Sequence, residues 1–536
     1  LVLFSSGLVD TEQARREPLD ALAAPRSAGE DPIEQVVGHI RRAKSRITTQ
    51  VALADHVRAR GGRVLARSAL LNALVVRVRP AALRELLAEH DEVARVARAG
   101  RVSVRSDVSV GVVGADSWSD ASVDGSSQRV AVLDTGIDDG HPAFDDANGD
   151  SRVVAATVSL SAAASEDDFD DDETSHDDLH GHGTHVAGIV ASSDGTYGGV
   201  APGALLLDAK CFYRDTSGGG MGLDADIVTA ADWALTNGAA VLNLSFGDSG
   251  DTDGSNLLTI FFDAVAEIGG AAVAVSAGNS GPGSGTVLFP AEGFNVISVG
   301  ASDDRGTTTL SDDRIAGFSA RGPTDDGRRK PEIVAPGTSI QAASATWEGS
   351  GADFVVKSGT SMSAPHVAGA LALLLDHEAS WRPEALRALL LNSARNRTPA
   401  PATPDDPWGA GLLDLRAAYT DRARVVSGSF TATGGRAAFF ALESVAVGDR
   451  ATLAWHRDAG YAATGRRGGG GSARALVDLG LRHYDAAGRG EDGASASGVD
   501  PVEQVKAAIA RDDAVLKVRR SGAFPTGQTA VDWSVA

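Results

Sequence analysis

With a single cysteine among 536 residues, the chain has no means of forming an intramolecular disulfide. A chain of this length buries enough core to do without one. Cys211 sits between Lys210 and Phe212 after an apolar run and reads as a buried filler rather than a nucleophile. Long hydrophobic runs are also missing. The best candidate, Val367 to Leu375, falls far short of a membrane span and reads as a buried helix. Positive charge is scarce: 49 Lys and Arg stand against 71 Asp and Glu, a net charge of -22. That balance argues against a nucleic-acid partner, whose phosphates call for basic groups. It favours solubility, with calcium binding and adaptation to high salt as the sharper readings.

What is present divides the chain, as its length suggests, into two or three domains. Residues 1–33 are rich in Pro, Ala and charge, without a sustained period, and are expected to be mobile. Within them Leu1 to Phe4 is apolar, as the tail of a trimmed signal peptide would be. Thr49 to Arg60 has helical spacing and stops at Gly61-Gly62. Ala69 to Arg79 turns to strand-like alternation, Pro80 opens a helix running to His90, and Asp91 to Ala99 returns to a strand. Residues 34–105 should therefore form a small α+β domain.

From Gln128 to Ala418, apolar strands at Val130, Ala240, Ala271 and Val296 alternate with helices at Asp224 to Leu235, Leu257 to Ile268 and Ser361 to Leu375. Such alternation points to an α/β domain, 106–420, with a parallel sheet covered on both faces. After Tyr419, short strand-like runs such as Val425 to Ala441 lie between Gly-rich turns, and Gly465 to Gly471 is a flexible loop. A β-sandwich over 421–536 is expected.

Three segments carry chemistry. Val130-Ala-Val-Leu-Asp-Thr-Gly-Ile puts Asp134 at the end of an apolar strand, where open α/β sheets place functional groups. Alone it is equally a turn cap. Gly181-His-Gly-Thr-His-Val-Ala-Gly opens a helix in which His182 and His185 are near enough for a metal pair, but the zincin Glu is missing. Ser358-Gly-Thr-Ser-Met-Ser-Ala-Pro-His puts Ser361 at the head of an apolar helix, with Pro365 taken as part of the first turn. There it is either an N-cap or a nucleophile facing backbone N–H groups and the helix dipole.

Together, in the order Asp, His, Ser, these segments resemble the subtilase family, and Val275-Ser-Ala-Gly-Asn-Ser-Gly-Pro resembles its oxyanion region. The resemblance implies a doubly wound, subtilisin-like parallel sheet and a secreted serine endopeptidase. It implies Asp134, His182 and Ser361 as the triad and Asn279 as the oxyanion donor. Gly220, Met221 and Gly222, with Ser245, Phe246 and Gly247, resemble the two edges that clamp a substrate strand, so specificity should be broad. Ser276, Ala277 and Gly278 would form one wall of the primary pocket. Leu288 stands where relatives often keep glycine, so a shallow pocket is expected.

The same resemblance makes 34–105 an inhibitory propeptide cleaved between Ala99 and Val108, which in turn implies export. It likens 421–536 to a pre-peptidase C-terminal module. No catalytic cofactor is implied. Structural calcium is common in such proteins, but Ala143 replaces an often-ligating Asp. Asp145, Asp146, Asn148 and Asp150, and the acidic stretch 166–178, are oxygen-rich; a solvated loop is the preferred reading of both. Sedolisins differ in using Glu as base. The rival functions are a catalytically silent subtilase fold used for binding and an esterase, whose second elbow glycine is missing after Ser361.

Overall fold

The computed structural model describes residues 2–4, 48–61, 63–68, 73–77, 79–89 and 93–96, and then residues 109–536 apart from 120, 161–174, 215–218, 351–352, 396–406, 443, 458–476, 486–490, 496–499, 512–513, 522–523 and 525–529. The chain forms two compact units, Leu1–Val104 and Arg105–Ala536. The expected loop at 465–471 and cleavage region at 99–108 lie outside the described residues.

The first unit is α+β. Helices Thr48–Ala59 and Pro80–Glu89 accompany a four-stranded antiparallel sheet in the order Arg63–Ser68, Ala73–Arg77, Val2–Phe4, Val93–Val96. Val2–Phe4, in a stretch expected to be mobile, pairs with strands on both sides. Its apolar residues fit a central strand, and four residues without visible alternation gave the sequence reading nothing to detect.

The second unit is built on an eight-stranded sheet in the order Arg314–Ile315, Ile297–Asp303, Ala272–Ser276, Val241–Leu244, Arg129–Asp134, Leu205–Lys210, Val153–Val158, with Ile333–Pro336 beside Ile297–Asp303. All pairings are parallel except that of the short Arg314–Ile315. The pleat divides each strand between two cores. Val130, Val132, Val241, Ala272 and Ala274 face the helices Gly183–Ala191 and Thr360–His377. Ala131, Leu133, Leu242, Leu244, Val273 and Val275 face Asp224–Thr236 and Leu257–Glu267. Both faces are thus apolar, which is why these strands read as continuous hydrophobic runs.

The first strand, Arg129–Asp134, lies between Leu205–Lys210 and Val241–Leu244. From it the chain runs to the sheet edge at Val153–Val158, returns inward through Leu205–Lys210 and then crosses to the other side. That reversal opens a crevice at the carboxyl ends of the strands, where α/β sheets bind their ligands. Asp134 and Ser245 follow one another across it, since Leu133 and Leu244 are in register.

The C-terminal strands form two antiparallel four-stranded sheets enclosing their own core around Trp455, Leu481, Leu516 and Trp533. The run expected as one strand at Val425 to Ala441 is two, Val426–Thr431 and Ala437–Leu442, split by a turn. This sandwich is joined to the parallel-sheet unit by buried contacts. Ala454 and Ala536 join the core of the parallel-sheet unit, their strands packing on the helix Pro383–Ser393. Asn295 donates to Arg457 O at 2.8 Å and accepts from Arg457 N at 2.8 Å. Close by, the buried carboxylate of Glu332 accepts from Arg387 Nε at 3.1 Å and Lys330 Nζ at 3.3 Å, and Arg387 Nη1 donates to Phe294 O at 2.7 Å. Among the described residues no helix is long and apolar enough to cross a membrane.

Removing Arg387 leaves the buried Glu332 carboxylate with Lys330 alone and takes away the donor to Phe294 O. Arg387→Ala should therefore lower unfolding free energy by about 3–5 kcal/mol, read from the denaturant midpoint. A loss under about 1 kcal/mol would mean that the cluster contributes nothing net.

Candidate active site

Asp134 ends the first strand and is only 3% exposed. Its Oδ1 accepts from Thr135 N at 2.8 Å and from His182 Nδ1 at 2.7 Å. His182 is the residue preceding the helix Gly183–Ala191. The loop that delivers it is held by Asp178, which sequence reasoning had merged into an acidic stretch. One Asp178 oxygen accepts from Thr135 Oγ1 at 2.7 Å and Gly181 N at 2.7 Å, and the other from Thr184 N at 2.8 Å. Thr135 Oγ1 accepts in turn from Gly183 N at 3.0 Å. The aspartate strand and histidine helix are therefore tied by hydrogen bonds to residues just before and just after His182. Burial pushes His182 down, but the charge and hydrogen bond of Asp134, aided by Asp178, outweigh it and hold the imidazole above its ordinary value.

Ser361 is the second residue of the helix Thr360–His377, in the first turn, where N–H groups have no helical acceptor. Pro365 is inside this helix rather than in its first turn. Lacking an N–H, it leaves the carbonyl four residues back without its helical donor. That carbonyl, Ser361 O, accepts from Ser245 Oγ at 2.9 Å, and Ser245 Oγ accepts from Asn243 Nδ2 at 2.9 Å. The Ser361 hydroxyl donates to Ser245 O at 3.0 Å. Among the described residues no hydrogen bond joins it to His182.

Asn279 lies across from the head of the same helix. Its Oδ1 accepts from Thr360 N at 2.9 Å and Thr360 Oγ1 at 3.1 Å. With the oxygen committed, the side-chain orientation is fixed and the exposed amide is left with its N–H donors to offer. Gly278 N donates to Thr360 Oγ1 at 3.1 Å, binding the strand end to the serine helix.

A subtilase-family sequence profile matches residues 125–411, which contain every group named above. The chain is a subtilase. It is 31% identical to serine protease AprX of Bacillus subtilis over 374 residues, 64% of this chain and 78% of that protein. It is 33% identical to subtilisin E of the same species over 298 residues, covering 55% and 66%. A solved cold-adapted subtilisin-like serine proteinase overlaps with a TM-score of 0.41 and 26% identity, covering 54% of this chain and 89% of its own. Membership makes the protein a serine-type endopeptidase, whose chemistry needs no cofactor.

The two edge segments of this subtilase differ in exposure. Gly220–Met221 is an exposed strand end paired with Tyr213–Arg214, and Met221 is 50% exposed. On the other side Ser245 is buried, Phe246 half-buried and Gly247 exposed. Ser276, Ala277 and Gly278 are buried. Gly278 has φ +109°, and a Cβ there would meet Leu288 Cγ at 2.5 Å; one at Gly247 would meet Leu288 Cβ at 3.1 Å. Leu288 thus fills the space between the two walls.

His185 is buried, its Nε2 shared by Ile340 O at 3.1 Å and Val355 O at 3.0 Å, so it forms no metal pair with His182. Burial holds it down at about 3. Cys211 is buried, and burial pushes its thiol up, as a filler requires. The 145–150 loop does not fit calcium. The Asp146 carboxylate is taken up by Asn148 N at 2.7 Å, Asp150 N at 3.0 Å and Asn148 Nδ2 at 3.2 Å, and Ala143 offers no ligand. The acidic stretch lies outside the described residues up to 174.

The folded histidine is raised, so its pairing stabilises the protein below the unfolded value of about 6.5 and is lost as pH rises through the folded value. In NMR titrations of Ser361→Ala protein, His182 should titrate above 6.5. Asp134→Asn should bring it below, because burial, the largest influence, is then opposed only by the smaller effect of Asp178. Equal values in the two proteins would contradict this assignment.

Proposed function

We propose that Asp134, His182 and Ser361 form the triad of a secreted, self-processing serine endopeptidase of broad specificity. The observation that carries the reading is the 2.7 Å bond from His182 to the buried Asp134, in the same crevice as a serine at a helix head. Ser361 Oγ attacks the peptide carbonyl carbon while its proton passes to His182 Nε2. The electron pair displaced onto the carbonyl oxygen is met by the Asn279 amide and Ser361 N–H. As the C–N bond breaks, His182 returns the proton to the leaving amine. Water then cleaves the acyl-enzyme by the same route. Asp134 keeps the imidazole in the required tautomer and stabilises it when charged.

Support for Asn279 comes from its oxygen being occupied by Thr360, which leaves only donors for the oxyanion. Asn279→Ala should lower turnover about 100- to 1000-fold with little change in KM, a benchmark that comes from subtilisin itself and not from these distances. An unaltered turnover would remove Asn279 from the mechanism. The raised His182 places the acid limb of activity above the ordinary histidine value of about 6.5, since the base must be unprotonated.

Exposed backbone at Gly220 and Gly247 suits a substrate strand held mainly by main-chain bonds, hence the broad specificity. Leu288 narrows the pocket between Gly247 and Gly278, favouring small or medium apolar side chains. In a peptide-library digest, Leu288→Gly should shift cleavage toward Phe and Tyr. Dominance of Phe or Tyr in the parent would refute the role given to Leu288.

The separate α+β unit supports a propeptide reading of residues 34–105, and a built-in inhibitor fits export. Purified parent and Ser361→Ala proteins, followed for size and casein hydrolysis, test the whole reading. Only the parent should shed about a hundred residues, a small domain's worth, and digest casein. If both stay intact and inert, the fold serves binding instead.

A further inference from the structure

Outside the triad, Asp139, His176 and Asp177 each offer a ligand atom, and the three atoms lie within 4.8 Å of one another. Exposed acidic groups often gather without an ion, so the cluster alone proves nothing. The decisive neighbour is Asp208, on the strand Leu205–Lys210, which is 0% exposed. Its Oδ2 accepts from Ile137 N at 3.2 Å and lies 3.6 Å from His176 Nδ1. Its Oδ1 is buried with no hydrogen-bond partner, and so is His176 Nδ1. A carboxylate sealed in the core and facing an imidazole at incomplete bonding distance is costly, and the cost falls either when a proton neutralises it or when something raises the charge on the ring.

A metal ion on the far side of the imidazole does that. Metal-bound histidines characteristically donate their other N–H to a carboxylate, which fixes the tautomer and strengthens the ligand. We propose that Asp139, His176 and Asp177 form a site for a divalent cation of the Zn²⁺ class, backed by Asp208, and that the ion clamps the loop after Asp134 to the loop before His182. His176 presents Nε2 to the metal and Nδ1–H to Asp208. An imidazole with two carboxylates matches zinc, whereas calcium takes an all-oxygen set. Water completes the coordination on the exposed side. The role is structural: none of the ligands belongs to the triad, and the two loops are already joined beneath the site through Thr135 and Asp178.

The test uses the full-length chain carrying Ser361→Ala to suppress self-digestion, stripped with a chelator and titrated calorimetrically with Zn²⁺ alone or in excess Ca²⁺. Binding is read directly, so the result does not depend on proteolysis. One equivalent of Zn²⁺ should bind, undisturbed by Ca²⁺. His176→Gln and Asp139→Asn, both at half-buried positions, should each weaken it at least tenfold. Asp208→Asn should weaken it about 10- to 100-fold, as loss of a supporting carboxylate does. Zn²⁺ should also raise the thermal midpoint of the parent but not of His176→Gln. Absence of saturable binding, full affinity in His176→Gln and Asp139→Asn, or displacement by Ca²⁺ would each overturn the site.

Discussion

A carboxylate and a carbonyl stand side by side where the parallel sheet reverses its winding, and the active crevice is organised around that pair. Asp134 carries the imidazole, and Ser245 carries the serine helix through two reciprocal hydrogen bonds. Neither residue could be placed by a loop alone. Asp134 ends a strand buried from Val130 onward, Ser245 directly follows the buried strand Val241–Leu244, and the register between Leu133 and Leu244 holds the two ends level. The cores on both faces of the sheet are what keep that register from slipping.

Proline, usually a defect inside a helix, has a role in this arrangement. Pro365 frees the carbonyl of Ser361, and Ser245 Oγ takes it up, with Asn243 behind. A backbone group left over by one element becomes the attachment point for another. Thr360 acts similarly on the other side, bonding Gly278 N and Asn279 Oδ1 and so fixing which face of the amide is offered. The serine helix is thus anchored at its head by side chains from two neighbouring strands, while its body is buried over the sheet.

The parallel sheet was legible because both of its faces are apolar, so Val130, Val241, Ala272 and Ile297 begin runs that are mostly apolar, broken only by small or single polar residues such as Asn243 and Ser298. The strands Leu205–Lys210 and Val153–Val158 were not: the first buries Asp208 and Lys210, and the second is a partly exposed edge. The helix Pro383–Ser393 has no such signature, because Glu384 and Arg387, both buried, interrupt its apolar spacing. The triad candidates stood out by motif, yet Asp178 did not. It lies at the end of an acidic run, and nothing in its composition separates the residue that receives four hydrogen bonds from its neighbours. The fusion of the sandwich to the catalytic unit was equally hidden, since contacts such as Asn295 with Arg457 join residues far apart in the chain.

A serine-directed phosphonate, followed by mass spectrometry of the digested protein, tests the central claim most directly, because it asks which single hydroxyl the site activates. The account predicts one adduct, on Ser361, formed by the native protein and lost both on unfolding and in His182→Ala. An adduct on another serine, or labelling of Ser361 at the same rate without His182, would contradict it.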